Sequence, residues 1–264
     1  MTRTTEPSLI PRQPHVRRPR IAVGTDGTPW GDAALDWALR QAATQNASVD
    51  VFAAESSDDQ AITRRLAAYP WLFSTVTVSP DSPVKSLLDA SIDHDTLVIG
   101  YRGRRRGPFG VGRSVLPVVT ESHCDTVVIR GETRAVQGEH RWITAALGGQ
   151  HDELVIHRAV QFAVRTRSKL RLIHAAPLPG THTVAVRTDP AEVLQRGYDL
   201  VRATASDLIP SLRLIRSQPH EAARACDRSD LLVIGPGGNP GTLSVITSSA
   251  LHMAPCPVLV VKPL

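Results

Sequence analysis

A chain of 264 residues, 42% apolar and 21% charged, can bury the core of one large α/β domain or two ordinary ones, and its balance excludes a disordered chain. No apolar run approaches the ~18 residues of a membrane helix, and three cysteines (Cys124, Cys226, Cys256) without C-x-x-C spacing predict reduced, buried thiols rather than disulfides or zinc. Of the net charge of +5, residues 1–20 supply +4 from five Arg and one Glu, so the remainder is nearly neutral and is no clamp for a polyanion.

In chain order, residues 1–17 read as a disordered basic tail without the apolar stretch of a secretory signal, so the cytoplasm is the expected compartment. Short unalternated runs rich in Val and Ile follow at Ile21 to Val23, Leu97 to Ile99, Val127 to Ile129, Leu231 to Ile234 and Val258 to Val261. Such runs are apolar on both faces, as in parallel sheets covered by helices. Helical patterns lie between them at Trp30 to Ala43, Pro83 to Ala90, Leu154 to Val164, Ala191 to Leu208 and Pro219 to Cys226. This alternation predicts βαβ units and a doubly wound α/β fold.

The chain also repeats itself. Asp95-Thr-Leu-Val-Ile-Gly100 returns as Asp230-Leu-Leu-Val-Ile-Gly235, and Cys124-Asp-Thr-Val-Val-Ile-Arg130 as Cys256-Pro-Val-Leu-Val-Val-Lys262. Val49 to Ala54 pairs likewise with Leu170 to Ala175. We read a duplication: one domain over 18–131, a polar linker over 132–140, and a second domain over 141–264. The last strand of each, Thr126 to Arg130 and Val258 to Lys262, is expected at a sheet edge that needs covering, by pairing between the domains or between subunits, and a homodimer through these strands is expected.

In the first half, strand one ends in Thr25 and Asp26, with Thr28 as helix N-cap and Pro29 at the first helical position. Gly100 closes another strand and opens a loop holding Gly103, Gly107, Gly110 and Gly112, before a helix for which Ser114 is a plausible N-cap. Arg102, Arg104, Arg105, Arg106 and Arg113 make the loop basic. Doubly wound sheets bind ligands beyond their carboxyl strand ends, where glycine-rich backbone and helix N-termini favour phosphate. An anion is the expected guest; a solvated basic loop is the plain alternative.

A strand-end Asp, a G-x-x-G loop followed by Gly-Ser or Gly-Thr, and a closing strand like Cys256-Pro-Val-Leu-Val-Val together resemble the universal stress protein family, over nearly the whole chain after residue 18. The resemblance implies two five-stranded, parallel-sheet domains in tandem, of the Rossmann-like, adenine nucleotide alpha hydrolase-like class. It also implies ATP or another adenine nucleotide as cofactor, with Mg possible only with ATP. By position Asp26 would face adenosine, the backbone of Ala54 adenine, and Gly100, Gly103 and Gly112 the phosphates. The loop departs from the pattern. Counted back from Cys124, Arg113 stands where a hydroxyl is expected; counted forward from Gly103, Ser114 does. Arg113 could bind phosphate or itself fill the phosphate cavity.

The second half has Gly148 and Gly149 where Asp26 would lie, and its loop from Gly235 to Ser244 carries no charge. Its site is expected to be degenerate. No metal set or catalytic motif stands out: His220-Glu221 lacks a second His at 224, and no general base is offered for hydrolysis except Asp26, which the resemblance places near the wrong end of the nucleotide. The expected function is nucleotide binding in a stress-response protein with an unidentified protein partner, not turnover. An interaction module of the same fold is the alternative. Nucleic acid, through the Arg-rich tail and Arg104 to Arg106, is the weaker third reading, and no membrane association is expected.

Overall fold

The computed structural model describes residues 17–79, 82–102, 111–148, 151–176, 189–218, 221–237 and 242–263. The tail before Arg17, Gly103 and Arg104 to Arg106 thus lie outside the described residues. Arg17, read from the sequence as part of the tail, is ion-paired with Asp95 at 2.9 Å.

The first half runs β1 (Arg20–Thr25), α1 (Pro29–Gln45), β2 (Ser48–Ala54), α2 (Asp59–Ala67), β3 (Ser74–Ser79), α3 (Pro83–Ala90), β4 (Thr96–Gly100), α4 (Val115–Glu121) and β5 (Asp125–Ile129). A short helix, α5 (Thr133–Gln137), follows. The second half runs β6 (Trp142–Leu147), α6 (Asp152–Thr166), β7 (Lys169–Ala175), α7 (Pro190–Thr204), β8 (Ser211–Ile215), β9 (Leu231–Ile234), α8 (Val245–Met253) and β10 (Val258–Val260). Within each half every strand pair is parallel, in the orders β3-β2-β1-β4-β5 and β8-β7-β6-β9-β10. Both halves are doubly wound, as the alternating pattern predicts, and five-stranded, as the resemblance implies.

The repeated aspartates do the same work twice. Asp95 accepts from the Arg20 N–H at 2.8 Å, and Asp230 from the His140 and Arg141 N–H groups at 2.9 and 2.6 Å. Each carboxylate ties the start of a strand to its parallel neighbour, satisfying backbone donors that begin the sheet.

Three expectations need correction. The strands expected as open edges are joined to each other: β5 and β10 pair antiparallel, Val128 opposite Val258 and Val127 opposite Leu259, making one ten-stranded sheet. The covering is thus between the domains, and the homodimer expected through those strands is not what the chain shows, because their ladder groups are used within it; among the described residues the open edges are β3 and β8. The supposed linker 132–140 contains α5, whose Ala135 and Val136 are buried. Finally, the helix expected over Pro219 to Cys226 is a single 3-10 turn, Ala222–Ala225.

The core sits in two layers, one on each face of the continuous sheet, and both layers include residues of both halves. Across the seam, Trp37 of α1 and Phe162 of α6 approach to 6.3 Å between ring centroids. Asp125, buried at the start of β5, accepts from Arg158 of α6 at 2.6 Å and from the Lys262 N–H at 2.9 Å. Arg130, buried at the end of β5, donates to the Ala250 and Leu251 carbonyls of α8 and lies 4.9 Å from the Tyr101 ring centroid. All three cysteines are free and buried, and burial pushes the thiols of Cys124 and Cys226 up to about 12.

Candidate functional site

The strand order reverses beside β1, which has β2 on one side and β4 on the other. Connections leaving these strands diverge to opposite faces of the sheet, which opens a crevice at their carboxyl ends. A cavity of about 750 Å³ occupies that place. Of the eight residues the sequence assigns to the site, seven line it together: Thr25, Asp26, Ala54, Gly100, Gly112, Arg113 and Ser114. Gly103 lies outside the described residues.

Asp26 leaves the end of β1 half-buried, and its carboxylate accepts from the Thr28 N–H at 3.2 Å and the Thr28 hydroxyl at 2.6 Å. Thr28 is the N-cap of α1 and accepts from the Gly31 N–H at 3.2 Å, with Pro29 next in the helix. The cap thus fixes helix entry and carboxylate together. Buried Thr25 accepts weakly from the Gly27 N–H through its hydroxyl and receives Ser57 at its carbonyl, at 3.4 and 3.3 Å.

Gly100 has a packing reason that its place in a glycine-rich loop does not reveal. A Cβ there would stand 2.7 Å from the Trp30 carbonyl carbon and oxygen and 3.0 Å from the Gly31 nitrogen. Only a hydrogen at that position lets the first turn of α1 close against the end of β4. Tyr101 then packs edge-on to Trp30, with centroids 5.5 Å apart, and the Gly112 N–H returns to the Tyr101 carbonyl at 2.9 Å. The basic loop is consequently anchored at both ends, with Arg102 and Arg113 at the crevice. Arg113 is exposed rather than sealed into the cavity. Ser114 stands at the N-cap position of α4 but has helical dihedrals and makes no capping hydrogen bond with its side chain.

The other wall was not legible in the sequence. Phe52 and Ala53 come from β2, Ser56 from the loop after it, and Ser82, Val84, Ser86 and Leu87 from the start of α3. With Ile99 they make one side apolar, floored by buried Leu87 and Ile99. No local motif marks these residues, because they meet only when β2 pairs with β1 and α3 crosses the sheet.

The matching place in the second half is arranged differently. At the position corresponding to Asp26, the Gly148 N–H donates to both Asp152 carboxylate oxygens, at 3.0 and 2.9 Å. A carboxylate of the chain itself therefore sits where α6 begins. His174 is buried against that turn, and its Nδ1 lies 2.9 Å from the Leu147 carbonyl. At the entry to α8, Ser244 accepts from the Thr247 N–H at 3.0 Å, and Thr247 donates its hydroxyl to the Gly235 and Pro236 carbonyls, both at 2.9 Å. Polar groups at these strand ends are thus engaged internally.

Among the described residues no group of three or more His, Cys, Asp or Glu side chains is arranged to hold a metal ion, and no helix is long and apolar enough to cross a membrane.

Sheet order, crevice and duplication together define a tandem protein of the Rossmann-like α/β class. Its fold is that of the universal stress proteins. The structure is similar to a universal stress protein from Archaeoglobus fulgidus, at TM-score 0.68 and 14% identity, covering 92% of this chain and 98% of that one. It is also similar to a functionally unknown protein from Pseudomonas aeruginosa PAO1, at TM-score 0.64 and 14% identity over 92% of both chains. No family model matches the sequence, and no curated protein does.

Proposed function

We propose that the crevice of the first half binds an adenine nucleotide, ATP being the first candidate, and that the protein acts in a stress response by binding rather than turnover. The observation that carries this reading is the composition of one cavity of about 750 Å³. An apolar wall of Phe52, Ala53, Leu87 and Ile99 suits a flat base, and Asp26 offers an acceptor for hydroxyl groups. Arg102 and Arg113 offer charge-assisted donors for phosphate. An exposed Arg113 favours phosphate binding over self-occlusion, the alternative left open by the sequence. Mg would enter only with ATP.

Any ligand that binds the folded chain alone raises its melting temperature, by ~2.7 kcal/mol of stabilisation at a hundredfold excess over Kd. ATP, ADP or AMP is therefore expected to raise Tm by several degrees. Asp26→Ala, a change at a half-buried turn, is expected to remove the shift while leaving the unliganded Tm within a few degrees. No shift with any of the three would overturn the nucleotide reading and leave the interaction module of the same fold.

A further inference from the structure

A second cavity, of about 350 Å³, lies where the two halves meet, bounded by α1, α5 and the C-terminal end of α6. Its lining includes buried Trp37 and Phe162, and four arginines: Arg40, Arg141, Arg165 and Arg167. None of the four is ion-paired with a described acidic residue. The one acidic side chain lining the cavity among the described residues is Asp230, and its two oxygens already accept main-chain N–H groups at 2.9 and 2.6 Å.

Internal capping accounts for part of the cluster. Arg40 donates to the Val136 carbonyl at 2.7 Å and Arg141 to the Arg167 carbonyl at 3.2 Å. Arg165 stacks 5.1 Å from the Phe162 centroid, and a ring face satisfies no N–H. A guanidinium has five N–H donors, so most donors in the cluster have no protein acceptor among the described residues. Burial, and then the neighbouring charge of Arg158, lowers the Arg165 pKa; burial lowers that of Arg40 against the opposing influence of Tyr69 and Asp36. Arg141, Arg165 and Arg167 are exposed and Arg40 is half-buried, so four positive charges border one cleft whose single acidic lining side chain, Asp230, offsets them only in part.

We propose that this cleft is a binding site for a diphosphate-class anion held between the halves. Four arginines lining one cleft, from α1, the start of β6 and the end of α6, match a ligand with oxygens on more than one phosphorus. A single carboxylate would leave most of them unneutralised. The proposal is independent of the nucleotide reading, since no residue lines both cavities.

The test is calorimetric titration of the full chain with inorganic pyrophosphate and, separately, with a short alkyl diphosphate. Binding of either is expected to weaken at least tenfold in Arg165→Gln/Arg167→Gln, two exposed positions whose change spares the core, and to weaken in Arg40→Gln on the facing wall. Arg196→Gln, an exposed control on α7, should change nothing. Equal affinity for the two probes shows that the diphosphate alone is recognised, tighter pyrophosphate identifies the inorganic ion, and tighter alkyl diphosphate identifies an organic ester whose tail uses Trp37 and Phe162. Absence of binding, or binding insensitive to Arg165, Arg167 and Arg40, would overturn the proposal; its loss in Arg113→Gln would place the anion in the crevice instead.

Discussion

At the scale of single residues, the contacts of Gly100 and Asp50 make opposite kinds of demand. Gly100→Ala forces a methyl group against backbone atoms of Trp30 that have no rotamer to escape into. We expect a loss of about 1–3 kcal/mol in urea unfolding, with weaker nucleotide binding because the first turn of α1 is displaced; an unchanged midpoint would refute the contact. Asp50 accepts from Thr75 at 2.5 Å, Arg20 at 2.9 Å and His94 at 2.7 Å. Burial acts to raise its pKa, but those three hydrogen bonds and the charge of His94 outweigh it and hold the carboxyl below the usual range. A carboxyl with a depressed folded pKa stabilises the fold above its unfolded value, and the gain is lost as pH falls through the folded one. Stability should accordingly decline from about pH 4 downward, and Asp50→Asn should flatten that decline in acid-dependent denaturation curves. That Asp26, Gly100, Gly112 and Arg113 share one crevice was legible because a motif carries them. Asp50 and the wall from Phe52 to Leu87 were not, because their partners lie on other strands or in α3, tens of residues away.

Elements were legible in proportion to how much apolar surface they bury. The Val- and Ile-rich runs that became β1, β4, β5, β9 and β10 are almost wholly buried. β3 went unread: its sequence Ser-Thr-Val-Thr-Val-Ser places Val76 and Val78 in solvent, 45% and 47% exposed, and the strand exists through its pairing with β2. α2 buries only Ile62, so its apolar periodicity is faint. Trp71 and Phe73, also exposed, precede β3 and extend this apolar edge of the sheet. Unpaired edges of this kind template association with other chains, and natural sheets blunt them with charge. Val76→Lys/Val78→Lys should therefore change stability by no more than about 0.5 kcal/mol per site, while raising the concentration at which light scattering detects aggregates. Identical scattering in variant and parent would show that β3 is not the sticky edge.

At the scale of the whole molecule, duplication was plain in the sequence, yet the way the copies join was not. Register between β5 and β10 is set by two equally apolar runs, and nothing local to Thr126 to Arg130 or Val258 to Lys262 distinguishes a partner in the same chain from one in another. The pairing has a thermodynamic consequence. β10 is hydrogen-bonded to β9 on one side and β5 on the other, Leu259 is fully buried, and Asp125 of the first half is held by Arg158 and Lys262 of the second. Unfolding either half alone would bare the ladder groups of the opposing strand and leave the carboxylate of Asp125 buried without its donors, each a cost of kcal/mol size. Calorimetry of the full chain should consequently show one transition whose van't Hoff and calorimetric enthalpies agree, in place of two independent domain transitions. Leu259→Asp, which sets a charge in the seam without touching either cavity, should uncouple the halves and produce a second, lower-temperature transition. Two resolved transitions in the unmodified chain would mean that the seam transmits little, and that the ten strands act as two sheets of five.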